Sequence, residues 1–188
     1  MSGLRGRIVL SRKGFDSTAG GCASPILPDG TMISLPIPDP RSAIRYRDIT
    51  VHGNDVGRLV ADLSGGAYTG AARAHLDPDL VASAFPRKRG WCPVFGQAGG
   101  EQTVLARAGV GAGDVFLFFG WFRRAERARG RWRFVAGAPD LHVLWGWMEV
   151  GEVVAVDGRA AVPAWAAYHP HVAGGARANN TLYVARKA

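Results

Sequence analysis

Val115-Phe116-Leu117-Phe118-Phe119-Gly120-Trp121-Phe122 is a run of eight residues, all apolar but for one glycine. A strand with a wet face alternates polar and apolar side chains. This run offers water neither face, so it predicts a central strand covered on both sides. It is also the longest apolar stretch, far short of the ~20 residues a membrane-spanning helix needs, and no membrane partner is expected. Gly113-Asp114 forms the turn that feeds it. A second strand is expected at Leu141 to Val150, with Leu141, Val143, Trp145 and Trp147 on one face and His142 beside Gly146 on the other. Between the two lie six arginines and a single acid, Glu126, from Arg123 to Arg133. Such a stretch reads as a solvated excursion between neighbouring strands.

Elsewhere the punctuation is coarser. Gly6 to Leu10 reads as a short buried strand, and Ile26 to Pro36 as two short strands joined at Pro28-Asp29-Gly30. Pro36-Ile37-Pro38-Asp39-Pro40 blocks helix and ladder alike, which predicts an exposed connection. Helices are expected at Val56 to Leu63, at Gln102 to Arg107, and after Asp77-Pro78, with Asp77 as cap and Pro78 in the first turn. Tyr168 to His171 reads as a loop, and Thr181 to Ala185 as the last strand. These elements make a strand-rich α+β domain, a mixed sheet or small barrel with a few short helices, spanning residues 1–188 as one unit.

At 188 residues and 47% hydrophobic, the chain holds enough apolar surface for one sizeable core. Met1 to Arg12 carries three arginines and one short apolar run, Ile8-Val9-Leu10. No signal pattern is read there, and a cytoplasmic location is expected. Cys22 and Cys92 stand alone without CxxC or Cys/His spacing, which excludes a disulfide framework and a structural zinc site of that type. The net charge of +8 favours an anionic partner, a nucleotide or nucleic acid, though only three of the cations are lysines and an Ala, Gly and Arg-rich composition yields the same sum.

Chemistry-bearing residues cluster at two places. Ser11 to Ser24 combines glycine-enabled amides (Gly20, Gly21), hydroxyls (Ser11, Ser24) and two cations (Arg12, Lys13), the ingredients of an anion cradle, although an ordinary structural loop has the same make-up. Lys13 and Asp16 also suit a base and its electrostatic partner, or a surface ion pair. His169 and His171 flank a proline and point the same way in an extended loop. Two histidines alone do not make a metal site. A third ligand would have to come from His75, His142 or a distant carboxylate, so no metal ligand set and no cofactor are assigned. The six tryptophans are mostly core, but Trp121, next to Arg123, and Trp147 are candidates for a wall against which a planar base stacks. Asn180 has an amide able to read a base edge and is equally a turn residue.

The ordered landmarks carry a resemblance. Leu10-Ser11-Arg12-Lys13-Gly14-Phe15-Asp16, Ala19-Gly20-Gly21-Cys22, Ser24-Pro25-Ile26-Leu27 and Ile33 to Pro38 are similar to the family called nucleotide modification associated domain 3. So are His75 to Asp79, Phe95-Gly96-Gln97, Phe118 to Phe122, His142 with Trp145-Gly146-Trp147, His169-Pro170-His171 and Asn180 to Tyr183. The resemblance implies a link to systems that modify nucleobases, without a specified reaction. Gly113 to Phe119 and Val143 to Val150 are also similar in pattern to small PUA-like barrels of the ASCH and EVE kind, a likeness of fold alone. The expectation is a protein that recognises a nucleotide or modified base through an aromatic slot and the Ser11 to Ser24 cradle. The alternative is an enzyme that tailors or hydrolyses a base or its conjugate, with Lys13, Asp16, His169 and His171 doing acid-base work.

Overall fold

The computed structural model describes residues 6–156 and 162–187. Its framework is a mixed sheet of seven strands. The apolar run opens the long central strand β6 (Val115–Ala128), and five strands precede it in the chain: β1 (Ile8–Arg12), β2 (Ser24–Ile26) and β5 (Val94–Gln97) of the same sheet, and the small separate pair β3 (Thr50–Val51) and β4 (Asn54–Asp55). After it come β7 (Arg131–Phe134), β8 (Leu141–Ala155) and β9 (Thr181–Ala185). Among the described residues three α-helices complete the set, α1 (Val56–Leu63), α2 (Gly99–Arg107) and α3 (Pro170–Ala173). The sheet path is β1-β6-β8-β9-β5, and among the described residues it does not close on itself. The mixed sheet is therefore the form observed, rather than a barrel.

The two apolar strands are neighbours. β6 and β8 run antiparallel from Val115 opposite Glu149 to Phe122 opposite Leu141. A bulge interrupts the ladder where Phe118 faces Gly146 and Phe119 faces Leu144, which leaves Trp145 as the extra residue. The strict alternation expected for Leu141 to Trp147 breaks there. Trp145 packs on the core beside Phe118 and Met148, whereas Trp147 stands 67% exposed.

β1 and β2 occupy successive lengths of the opposite edge of β6, both parallel to it. Side chains alternate between the two faces of β1, and Ile8 and Leu10 fall on its outer one, 59% and 64% exposed, so β1 is not the buried strand expected. The arginine-rich stretch is ordered as well. β6 continues through it and turns at Arg129-Gly130 into β7, forming a hairpin with arginines on its wet face. Pro36 to Pro40 is not an exposed connection. Pro38 pairs with Ala74, the Ile37 carbonyl accepts from His75 N–H at 2.8 Å, and Asp39 is buried. Prolines bar a ladder only where a donor is needed, and here the chain supplies acceptors and the Asp39 N–H.

α1 forms on its expected residues, with the Asp55 carboxylate accepting from Arg58 N–H at 3.0 Å as its cap. Its apolar side covers Phe15, Ile33, Leu35, Ile44 and Tyr46. On the sheet a second cluster stacks Phe95, Phe116, Phe118 and Tyr183. No α-helix opens at Asp77; the chain stays extended until a single 3-10 turn at Ala82–Ala84. Nor is Tyr168 to His171 a plain loop: a 3-10 turn (Ala164–Tyr168) leads through His169 into α3.

Candidate functional site

His75 and Asp77 leave the short ladder with residues 37–39 two positions apart, which in extended chain puts both on one side. Opposite them stands the start of α3, where the same spacing presents His169 and His171. β5 passes between. Gly96 N–H donates to Asp77 Oδ1 at 2.7 Å, and a Cβ at Gly96 would lie 2.4 Å from the His171 ring. Only glycine lets the imidazole rest on the strand backbone here.

The outer atoms of this cluster are all engaged. His75 Nδ1 lies 2.8 Å from Asp39 Oδ2, a carboxylate that only accepts, so Nδ1 carries the proton. Asn180 Nδ2 donates to the His171 carbonyl, which turns Asn180 Oδ1 toward His171 Nδ1 at 2.7 Å and places the proton there too. His169 Nδ1 accepts from His171 N–H at 3.3 Å, leaving Nε2–H directed at Asp77 Oδ1, 3.3 Å away and poorly aligned. Three acceptor atoms remain and face one another: His75 Nε2 and His171 Nε2 stand 3.8 and 3.7 Å from Asp77 Oδ2. All three lie within 4.8 Å of each other and suit a metal ion.

Electrostatics follow from burial. The Asp77 side chain is 2% exposed. Desolvation pushes its carboxyl up, but His169, His171 and Lys13 outweigh it and hold the group below the usual carboxylate range. Burial drives His171 down to about 4 despite Asp77 and Asn180, so it is neutral at physiological pH. His75 is lowered by the same cause against Asp77 and Asp39. Asp39 is held at about 2: burial raises it, while the His75 hydrogen bond, the Arg41 N–H and the nearby charges prevail.

Two cavities meet at this cluster, sharing Gly14 and Asp77 in their walls. One, of about 310 Å³, is walled by Leu76, Leu80, Trp145 and Trp147. The other, of about 510 Å³, holds Arg12, Lys13, Arg41 and Arg177 with Asp16, Asp39, His75 and His171. Arg177 and Arg41 reach Asp39 at 3.1 and 3.4 Å, and the Lys13 ammonium rests 4.6 Å from the centre of the Phe95 ring.

Lys13, Asp16, Arg12 and His171 thus share one cavity, and His169 lies directly behind it. β1 and β9 are not neighbours in the sheet; Asp77 lies against His169 and His171 and feels the Lys13 charge. Asp16 Oδ1 accepts from Thr18 N–H, Thr18 Oγ1 and Ala19 N–H, each at 2.7 Å. Burial raises this carboxyl, and those bonds lower it further than burial lifts it. The amides of Ser11 to Ser24 are largely engaged inside the protein: those of Lys13, Phe15, Asp16, Thr18, Ala19 and Gly21 all have acceptors. The segment presents cations to the cavity rather than a nest of N–H groups. Gly20 makes room for the Phe15 ring, and Ser24 Oγ accepts from Leu35 N–H at 3.0 Å. Ser11 lies on β1, half-buried in a separate shallow groove.

Trp147 borders the apolar cavity, but Trp121 sits further along β6 opposite His142, which is exposed. The Arg123 guanidinium lies 5.7 Å from the Phe134 ring centre. Asn180 is buried against His171. Cys22 is half-buried, and desolvation pushes its thiol up to about 11, which leaves no thiolate nucleophile. Sequence reasoning missed Asp39, Arg41, Asp77 and Arg177. The signal for Asp77 was its His-x-Asp spacing; Arg41 and Arg177 carry none, since only the fold brings them together.

No helix among the described residues is long and apolar enough to cross a membrane. No curated protein and no solved structure matches the chain. A family model described as nucleotide modification associated domain 3 matches residues 7–188, nearly the whole chain. With that coverage, the chain belongs to the nucleotide modification associated domain 3 family.

Proposed function

We propose that the protein is an enzyme that modifies a nucleotide or a base within a nucleic acid, with the reacting group held at Asp77. The observation that carries this reading is the shared wall: Asp77 borders an apolar cavity on one side and a cationic cavity on the other. A nucleotide has the same two-part character. Its base fits between Trp147 and Leu76, in a volume at the lower end of the ~300–1,000 Å³ of small-molecule sites. Its phosphate fits beside Arg12 and Lys13, cations without a carboxylate within ion-pair distance among the described residues. His171 and His75 then face the substrate with neutral Nε2 lone pairs. His169 positions Asp77, and Asp16 shapes the loop that aims Lys13.

Calorimetry with nucleoside 5′-monophosphates tests the placement. Trp147→Ala should weaken binding about 5- to 150-fold, the equivalent of ~1–3 kcal/mol of stacking. Exposure of Trp147 keeps the variant folded. Lys13→Ala should weaken a monophosphate and leave the free nucleoside unchanged. The reaction is tested in cells producing the chain, where every co-substrate is present. Nucleosides from DNA, RNA and the nucleotide pool, resolved by mass spectrometry, should gain a new mass with the wild type and not with Asp77→Asn. Binding without any new mass would make the protein a reader of bases, and absence of nucleotide binding would remove both readings.

A further inference from the structure

We infer that His75 Nε2, His171 Nε2 and Asp77 Oδ2 form a binding site for one divalent first-row transition cation. The inference begins with a mismatch. Three acceptor atoms of buried side chains face one another where the cavity reaches them, yet 3.7 and 3.8 Å is beyond hydrogen-bond range, and the protons that the two imidazoles carry are on their outer nitrogens. Among the described residues no donor points at any of the three. Lone pairs gathered in this way repel one another unless a cation or the protons of a solvent molecule stand between them, and two imidazoles with a carboxylate are a donor set that favours the cation.

The outer partners have the arrangement that metal ligands require. Asp39 fixes the His75 ring through Nδ1–H and Asn180 fixes His171 in the same manner, while Gly96 N–H holds the other carboxylate oxygen of Asp77, with His169 Nε2 3.3 Å from it. Each ligand is therefore locked in the tautomer and rotamer that aims its free lone pair inward. Two imidazoles and one carboxylate suit zinc or an open iron(II) or cobalt(II) site, and not magnesium or calcium, which favour all-oxygen ligands. A tetrahedral centre with ~2.1 Å bonds sets its ligand atoms about 3.4 Å apart, close to the 3.7 and 3.8 Å that separate Asp77 Oδ2 from the two imidazole nitrogens. The three protein ligands leave positions open toward the two cavities, where a substrate oxygen or water would complete the shell.

The site is independent of the nucleotide reading, because metal uptake is measured with no nucleotide present. The full chain is stripped with a chelator and titrated with Co²⁺ alone. One equivalent should bind and give the weak visible absorption of nitrogen- and oxygen-ligated cobalt, which added Zn²⁺ abolishes. His75→Ala and Asp77→Asn should each remove that signal. Asp39→Asn, which keeps all three ligands, should weaken binding roughly 10- to 100-fold. His142→Ala, outside the cluster, should leave it unchanged. A wild-type chain that takes up neither Co²⁺ nor Zn²⁺ at millimolar concentration overturns the site whether or not any variant folds. So does a folded His75→Ala that binds like wild type. Failure here leaves nucleotide binding by the metal-free chain standing or falling on its own titration.

Discussion

A methyl group on Gly96 would press 2.4 Å from the His171 ring, with β5 backbone on one side and α3 on the other. Neither can retreat without opening the sheet or breaking the Asn180 bonds. Gly96→Ala is expected to cost about 1–3 kcal/mol, as overpacking in a filled core does, and a lowered urea midpoint at unchanged slope would report it. The same variant should lose Co²⁺ uptake before it loses its fold, since the ring that moves carries a ligand. At this scale the sequence was half legible. His169 and His171 stand out because they flank a proline, but the extended loop read there is the start of α3, with His169 as its cap and the two ring centres 5.7 Å apart. His75 and Asp77 share that spacing, but a Pro after an Asp also reads as a helix start, and the local pattern does not choose between the two. Asn180 was legible as a polar residue of consequence. Its partner proved to be His171, nine residues back along the chain, a pairing that no periodicity encodes.

Pro78 to Phe85 borders the apolar cavity with one bridge, from Asp79 to Val94, and one turn as its regular structure, and a side-chain clamp adds to that bridge. Arg87 holds the buried Asp79 with both terminal nitrogens, at 2.5 and 2.6 Å, and also donates to the carbonyls of Val81 and Ala82 and to Tyr168 Oη. Its guanidinium lies 4.4 Å from the Trp91 ring centre. Arg87→Met strands a carboxylate whose side chain has no exposure, and should destabilise the protein by about 3–5 kcal/mol in chemical denaturation. A second clamp is pH-dependent. Asp114 Oδ1 accepts from Arg7 N–H at 2.7 Å and Oδ2 from Gly111 N–H at 2.9 Å, tying the chain before β1 to the turn before β6. The Arg7 N–H chiefly, aided by Gly111 and the Arg7 charge against desolvation, holds this carboxyl below its ordinary value. A depressed folded-state value means stability that is present above the unfolded value of ~3.9 and lost as pH falls through the folded one. Asp114→Asn should therefore flatten the acid limb of a stability-against-pH curve and lower its neutral plateau. Strong periodic segments, α1 and β9, fall on the residues read from sequence. Pro36 to Pro40 and the arginine hairpin did not, because proline and charge report what a segment avoids and not what it packs against.

Across the whole molecule the charge is unevenly used. Arg41, Arg87 and Arg177 are committed to buried carboxylates and Arg133 pairs with Glu126. Arg124, Arg127, Arg129 and Arg131 stand exposed on the β6–β7 hairpin, away from the residues that line the two cavities. A mononucleotide held at Asp77 has no use for them. A polymer would, since a strand entering the site extends beyond it and its phosphates need cations along the way. The two substrate classes then separate in one salt titration. For a nucleic-acid substrate, replacing Arg124, Arg129 and Arg131 with glutamine should lower affinity and reduce the slope of log affinity against log salt. That reduction is ~0.9 for each duplex phosphate no longer neutralised, or ~0.7 on a single strand. Monophosphate affinity should not move, because the cavity cations Arg12 and Lys13 are intact. An unchanged slope for oligonucleotides, with monophosphate binding retained, would assign the hairpin charge to composition and leave the free nucleotide as the substrate.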